Sequence, residues 1–354
     1  MKKQMSLKQE KDDPIWYELL DEYFYSKVLR PDTEKTYRKV VRLFLKYLRG
    51  IENIQINPEE VTHKHVLRWR RHELNIRGVA ERTWNTKARH MQVLYSFWIK
   101  KGLLAETSKD NPFFDSQVEP GIKRKKVFTE AQLRTMYRVF ERFTQLEKEL
   151  SAQQATYRCC ALYPTRFWIV VMETFRLTGI RLNQLVHIRI KDIDFEENAI
   201  FLRSESSKNH CEHQVALLSP LKPLLQNLLN EMVLRGATPN DIFFNVHRLS
   251  DREVDREKII DSQPVKSFFR RFSTECGFPV SPHRFRHTLA TTLMRSPDRN
   301  MHLTKNVLGH RSLSSTMEYI GQDIHNTLHM LENELSTYLG MGLGGEHKRL
   351  TVMR

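Results

Sequence analysis

From Pro14 to Leu104 the apolar residues return every three or four positions, as in Trp16, Leu19, Leu20 and Tyr23 and again in Tyr37, Val40, Val41, Phe44 and Leu48. That period puts them on one face of successive α-helices. The pattern breaks at Arg30-Pro31-Asp32, where Asp32 or Thr33 can cap the next helix, near Asn57-Pro58, and at Arg77-Gly78-Val79. Four or five short helices are expected. After a further stop at Asp110-Asn111-Pro112, periodicity is lost between Ser116 and Val127, which carry Pro120, Gly121 and a closing Lys123-Arg124-Lys125-Lys126 run. This stretch reads as an interdomain linker. Helical spacing resumes behind Thr129, an expected N-cap. It yields to three short apolar runs that read as strands, Ile188-Arg189-Ile190, Ala199-Ile200-Phe201-Leu202 and Gln214-Val215-Ala216-Leu217-Leu218. Gln145 to Thr165 reads as a helix extension and Leu249 to Asp261 as a surface loop. The expected architecture is mainly α with a small β-sheet: a tail over 1–13, a helical domain over 14–115, a basic linker over 116–127, an α+β domain over 128–339 and a tail over 340–354.

Composition agrees with two domains, since 354 residues with 40% apolar content suffice for two separate cores. Charge adds a partner. A formal net charge of +15, concentrated in the first third of the chain, points to a polyanion, because phosphate neutralisation dominates nucleic-acid affinity. No apolar run approaches the length of a bilayer span, and no apolar segment follows the basic N-terminus, so a soluble, cytoplasmic protein without membrane contact is expected. The four cysteines, Cys159, Cys160, Cys211 and Cys276, lack CxxC spacing and read as reduced, buried thiols, not as metal ligands.

Four segments of the second domain hold residues suited to phosphoryl transfer. In Thr178-Gly179-Ile180-Arg181 an arginine follows a glycine turn. Ser206-Ser207-Lys208-Asn209-His210 would set Lys208 at the tip of a β-hairpin. In Ser281-Pro282-His283-Arg284-Phe285-Arg286-His287, His283 and Arg286 stand three apart on one helix face, behind a proline that suits a helix start. Val307-Leu308-Gly309-His310 is followed nine residues later by Tyr319. Each segment alone has a plain structural reading, as a surface arginine, a solvated lysine, a capping histidine or a core tyrosine. Together they make Tyr319 a candidate nucleophile.

The order, spacing and flanks of these segments resemble the tyrosine recombinase (lambda integrase) family. The resemblance covers Val127 to Tyr338 by motif, and less specifically Pro14 to Pro112, which is similar to the family's helical, SAM-like core-binding domain. It implies two domains forming a clamp on DNA and a catalytic set of Arg181, Lys208, His283, Arg286, His310 and Tyr319. The family's acidic residue three positions after the first arginine is replaced by Gln184, which would have to help orient Arg181 without charge assistance. The basic residue often found after the lysine is missing, with Cys211, Glu212 and His213 in that region.

What the resemblance implies is a consistent mechanism. Arg181, Arg286 and His310 would clamp the scissile phosphate, and two permanently charged guanidiniums would remove the need for a metal. Tyr319 would attack with His283 as proton acceptor, and Lys208 would act as general acid. The resulting 3′-phosphotyrosine would conserve bond energy, so rejoining would need no ATP and no cofactor. The expected partners are double-stranded DNA recombination sites, a homo-tetramer in the synaptic complex, and a directionality or DNA-bending factor. Backbone contacts are expected from Arg68, Arg70, Arg71, Arg82, Lys87, Arg89, Lys123, Arg124, Lys125 and Lys126. Two rivals share parts of the pattern: a type IB topoisomerase-like activity, and a catalytically impaired DNA-binding accessory protein suggested by Gln184.

Overall fold

The computed structural model describes residues 13–105, 110–121, 126–152, 160–204, 212–250, 256, 258, 260–295 and 301–309. The chain divides into two compact units, Met1–Lys123 and Arg124–Arg354.

The first unit contains α1 (Pro14–Tyr25), α2 (Pro31–Gly50), α3 (His63–Arg71) and α4 (Glu81–Lys100). Pro31 is the first residue of α2, and the chain enters from an extended Arg30, two or three residues earlier than the expected caps at Asp32 or Thr33. Asp32 falls instead in the first turn, together with Glu34, where a helix N-terminus favours negative charge. The predicted apolar face of α2 is buried, and α4 contributes Trp84, Ala88, Met91, Leu94, Tyr95 and Trp98. Aromatic rings fill the centre. Trp16 meets Trp98 edge-on at 6.1 Å between centroids, Trp69 meets Trp84 at 5.1 Å, and Phe44 lies 4.8 Å from Trp69. Buried indole N–H groups usually find acceptors, and three of the four here meet loop or helix carbonyls: Trp16 donates to Ile56 at 3.0 Å, Trp98 to Leu19 at 2.8 Å and Trp84 to Ser116 at 2.9 Å.

That last bond shortens the expected linker. Ser116 is fully buried, Asn85 exchanges two hydrogen bonds with the backbone of Val118, and the Gly121 N–H donates to Glu81. Residues 116–121 are therefore bound to the first unit. On the far side, Phe128 is buried in the second unit, and its N–H donates to the Thr288 hydroxyl at 2.9 Å.

A π-helical turn, His72–Ile76, follows α3 and turns Glu73 into the core, where it is 1% exposed. Glu73 accepts from Lys87 and, at 2.5 Å, from Arg77. Burial works against its charge, but the two cations outweigh it and hold the carboxyl below the usual carboxylate range.

The second unit contains α5 (Glu130–Ala152), α6 (Thr165–Thr178), the one-turn α7 (Leu182–Leu185), a sheet of β1 (Ile193–Asp194), β2 (Ala199–Leu202) and β3 (His213–Ala216), then α8 (Lys222–Leu234), α9 (Ser262–Cys276), α10 (Pro282–Arg295) and α11 (Met301–Leu308). Thr129 caps α5 as expected, exchanging hydrogen bonds with Gln132 in both directions. The sheet is an antiparallel meander in which Ile200 pairs with Ile193 and Val215, and Leu202 pairs with His213. The run Ile188-Arg189-Ile190 is not its first strand. Arg189 makes an isolated bridge to Ile242, a 3₁₀ turn follows, and pairing starts at Ile193. Helix α6 is buried over most of its length and packs against α5, α8 and α10. Trp168 of α6 stacks on Phe268 of α9 at 4.4 Å. Cys276 is buried and its thiol is pushed up to about 12 by that burial, while Cys160 is a free, half-buried thiol. Among the described residues no helix is long and apolar enough to cross a membrane.

Glu73→Gln should destabilise the chain by about 3 kcal/mol, because it strands the buried Lys87 ammonium. The Glu73 pKa is depressed on folding, so its stabilising contribution is complete above the ordinary carboxylate range and is lost as pH falls through the lower folded value. Urea unfolding at neutral and acid pH checks both: the difference between parent and variant should shrink on acidification.

Candidate active site

Of the six residues expected to act in catalysis, Arg181, His283 and Arg286 are described. Lys208, His310 and Tyr319 lie outside the described residues, as do Lys123, Arg124 and Lys125.

Helix α6 ends at Thr178, whose hydroxyl donates back to the Thr174 carbonyl at 2.5 Å. Gly179 then adopts φ +63°, and its N–H donates to Phe175 O at 3.0 Å. Only glycine suits this position. A Cβ there would lie 2.9 Å from Leu289 Cδ2 and 3.2 Å from Leu308 Cδ2, in a conformation side chains rarely adopt. The left-handed turn delivers Arg181 to the start of α7, half-buried. Gln184, one turn on and itself buried, accepts the Arg181 backbone N–H on Oε1 at 2.8 Å. Gln184 thus fixes Arg181 through its main chain, a hold that an amide supplies as a carboxylate would.

Helix α10 begins at Pro282, as its sequence predicts, with the Ser281 hydroxyl accepting the Arg284 N–H at 3.3 Å. His283 is exposed in the first turn. Arg286, three residues on, is 4% exposed. Its Nη1 donates to Gly179 O at 2.8 Å and its Nη2 to Leu308 O at 2.5 Å. One guanidinium therefore joins the turn that precedes Arg181 to the turn that precedes His310. Carbonyl oxygens satisfy these N–H groups without neutralising the charge. Between the two candidates, Arg284 is no surface arginine: it lies 4.2 Å over the Phe128 ring and donates to Pro279 O, Val127 O and Gln132 Oε1. It fastens the beginning of the unit to α10.

His213, the first residue of β3, was singled out in the sequence only for standing where the family often has a basic residue. Its ring lies over the α11 turn, with Nε2 3.5 Å from Val307 O, and three of its atoms are 3.0–3.3 Å from where a Gly309 Cβ would be. Burial lowers the imidazole pKa. The Val307 bond acts in the opposite sense, but the nearby Arg286 and Arg181 add to the lowering.

The basic residues proposed for DNA contact separate by burial. Arg71, Arg82, Arg89 and Lys126 are exposed, with Arg82 and Arg89 seven apart on one face of α4. Arg68 is half-exposed and paired with Glu52 at 3.0 Å. Arg70 is half-buried, reaching Ser116 O at 3.5 Å. Lys87 is a correction: it is buried against Glu73 inside the first unit, so its ammonium is not placed to meet a phosphate.

The left-handed Thr-Gly turn leading to an arginine, a buried helical arginine that grips it, and a small three-stranded sheet beside them define a recognisable class. The fold is that of DNA-bound integrases: the Tn1549 transposon integrase in complex with a circular intermediate DNA superposes with a TM-score of 0.65 at 15% identity, over 90% of this chain and 99% of that one. The sequence profile of the phage integrase family matches residues 126–325. Two proteins provisionally named tyrosine recombinase XerC, from Pseudomonas aeruginosa and Pseudomonas syringae, are 36% and 34% identical over 86% of this chain, which spans 68% and 61% of their lengths. The chain belongs to the phage integrase family and is a DNA strand-cleaving and rejoining enzyme of the tyrosine recombinase class.

Two substitutions test the local account. Gly179→Ala should cost about 1–3 kcal/mol in denaturant unfolding, from the positive φ and the crowding at Leu289. Gln184→Glu keeps the bond to the Arg181 N–H and should leave stability within about 1 kcal/mol of the parent, or raise it. A large loss in the second variant would show that the amide's own N–H groups are needed.

Proposed function

We propose that this enzyme is a site-specific recombinase that works through a 3′-phosphotyrosyl intermediate at Tyr319. The observation that carries the proposal is Arg286, a buried cation held by the carbonyls of both motif turns, in a unit that matches the integrase family over 126–325. A phosphodiester resists attack because its non-bridging oxygens are negative, and a preorganised guanidinium gains strength as charge builds in the pentavalent transition state.

In this reading the Tyr319 oxygen attacks phosphorus, the bond to the 5′ oxygen breaks, and the phosphate stays on the enzyme. Arg181, Arg286 and His310 hold the phosphate oxygens. The tyrosine proton passes to His283, which is exposed and so open to substrate. Lys208 gives the departing 5′ oxygen its proton. A 5′-hydroxyl from another strand reverses these steps, with no ATP and no metal consumed. Arg71, Arg82, Arg89 and Lys126, with Arg68, Arg70 and the Lys123-Arg124-Lys125 run, bind backbone phosphates. Synapsis uses a homo-tetramer, with a directionality or DNA-bending factor where the reaction must run one way. The protein works where the DNA is, in the cytoplasm.

The test is to incubate the parent and Tyr319→Phe with nicked DNA carrying the protein's own recombination site, and to look for a covalent adduct on a denaturing gel. An adduct from the parent alone is the expected result. An adduct from both places the nucleophile elsewhere, and none from either, with site-specific binding intact, favours an accessory DNA-binding role.

A further inference from the structure

Three consecutive residues at the end of α11 are held by two side chains, His213 and Arg286. The Val307 carbonyl faces His213 Nε2 at 3.5 Å, the Leu308 carbonyl accepts from Arg286 at 2.5 Å, and Gly309 takes φ +59° beneath the His213 ring. The imidazole reaches this turn from β3, where backbone pairing with Leu202 fixes the residue that carries it. Along β3 the buried residues alternate, so His213 shares its face of the sheet with the buried Val215. Strand and helix end thus meet through one side chain.

We propose that His213 is a positioning residue for strand cleavage: it ties β3 to the Val307–Gly309 turn and so keeps that turn in register with Arg286. The inference rests on the reading of His310, next in the chain, as a phosphate ligand. A carbonyl can only accept, so Nε2 must carry a proton, and the neutral ring favoured by burial beside two guanidiniums meets that need. The imidazole's contact is with the backbone of the turn, so its loss should show in the cleavage step and not in site binding. Misplacing a reacting group by a fraction of an ångström to an ångström is enough to slow a step by one to two orders of magnitude.

The test uses the full chain and two variants. His213→Ala removes the donor, and His213→Gln restores an N–H near the position of Nε2. Amide hydrogen exchange without DNA reads the turn, single-turnover adduct formation on a nicked site reads cleavage, and a gel shift reads binding. The expected result is faster exchange across 307–309 and at least about tenfold slower adduct formation for His213→Ala. Site affinity should stay within about twofold, and His213→Gln should recover most of both losses. The proposal is overturned if His213→Ala exchanges and cleaves like the parent, if His213→Gln is no better than His213→Ala, or if the loss lies in DNA affinity. Loosening of the turn by His213→Ala, together with an adduct that persists in Tyr319→Phe, would remove the Tyr319 reading and leave the His213 contact standing.

Discussion

The second unit is organised around the Arg286 guanidinium. A buried cation is costly unless its N–H groups are met, and here they are met by the carbonyls of Gly179 and Leu308, each at the end of a helix. Those carbonyls are groups that helix geometry leaves without an internal partner. Satisfying them with one planar side chain sets the spacing of the two turns. Much else follows. Gly179 must be glycine because Leu289 and Leu308 close over it from the elements that Arg286 ties together. Arg181 starts α7 where it does because the Gly179 turn aims it there, and Gln184 then locks its main chain. His213 meets the Val307–Gly309 turn from the sheet.

The first unit solves a different problem, how to present cations while keeping a core of large rings. The Trp16 and Trp84 indoles donate to carbonyls of connecting segments, so the packing that excludes water also fixes those loops, including the approach to residues 116–121. Helix α4 shows the division of labour. Trp84, Lys87, Ala88 and Met91 face inward, while Arg82 and Arg89 face water. The inward lysine is neutralised by Glu73, which a π-helical turn carries into the core. A net positive chain therefore does not use all its cations outwardly, and the position of each along a helix decides its role.

Helical periodicity was legible wherever one face is buried, as in Tyr37 to Leu48, and Thr129, Pro282 and the Gly179 turn declared themselves through local chemistry. The short strand before residue 199 was not legible, because Ile188 and Ile190 are apolar for packing reasons and the chain there turns through a 3₁₀ segment before it pairs. Lys87 was misread because charge alone does not reveal a carboxylate brought in by a rare helix geometry. Arg284 and His213 were underrated for a related reason: their partners, Phe128 and Gln132 for one and Val307 for the other, are close in space and distant in sequence. Around the candidate site, the turn before Arg181 and the helix start before Arg286 were legible in the sequence, while the bridging of two turns by Arg286 needed three dimensions.

The most direct test of that bridging is Arg286→Lys, which keeps the charge but cannot span both carbonyls with a planar fork. Adduct formation and DNA binding should be measured on the same nicked site. The account predicts at least a ~100-fold loss of cleavage, with site binding retained within about threefold. Cleavage by Arg286→Lys at the parental rate would contradict it, since a lone ammonium would then be doing all that the guanidinium is held in place to do.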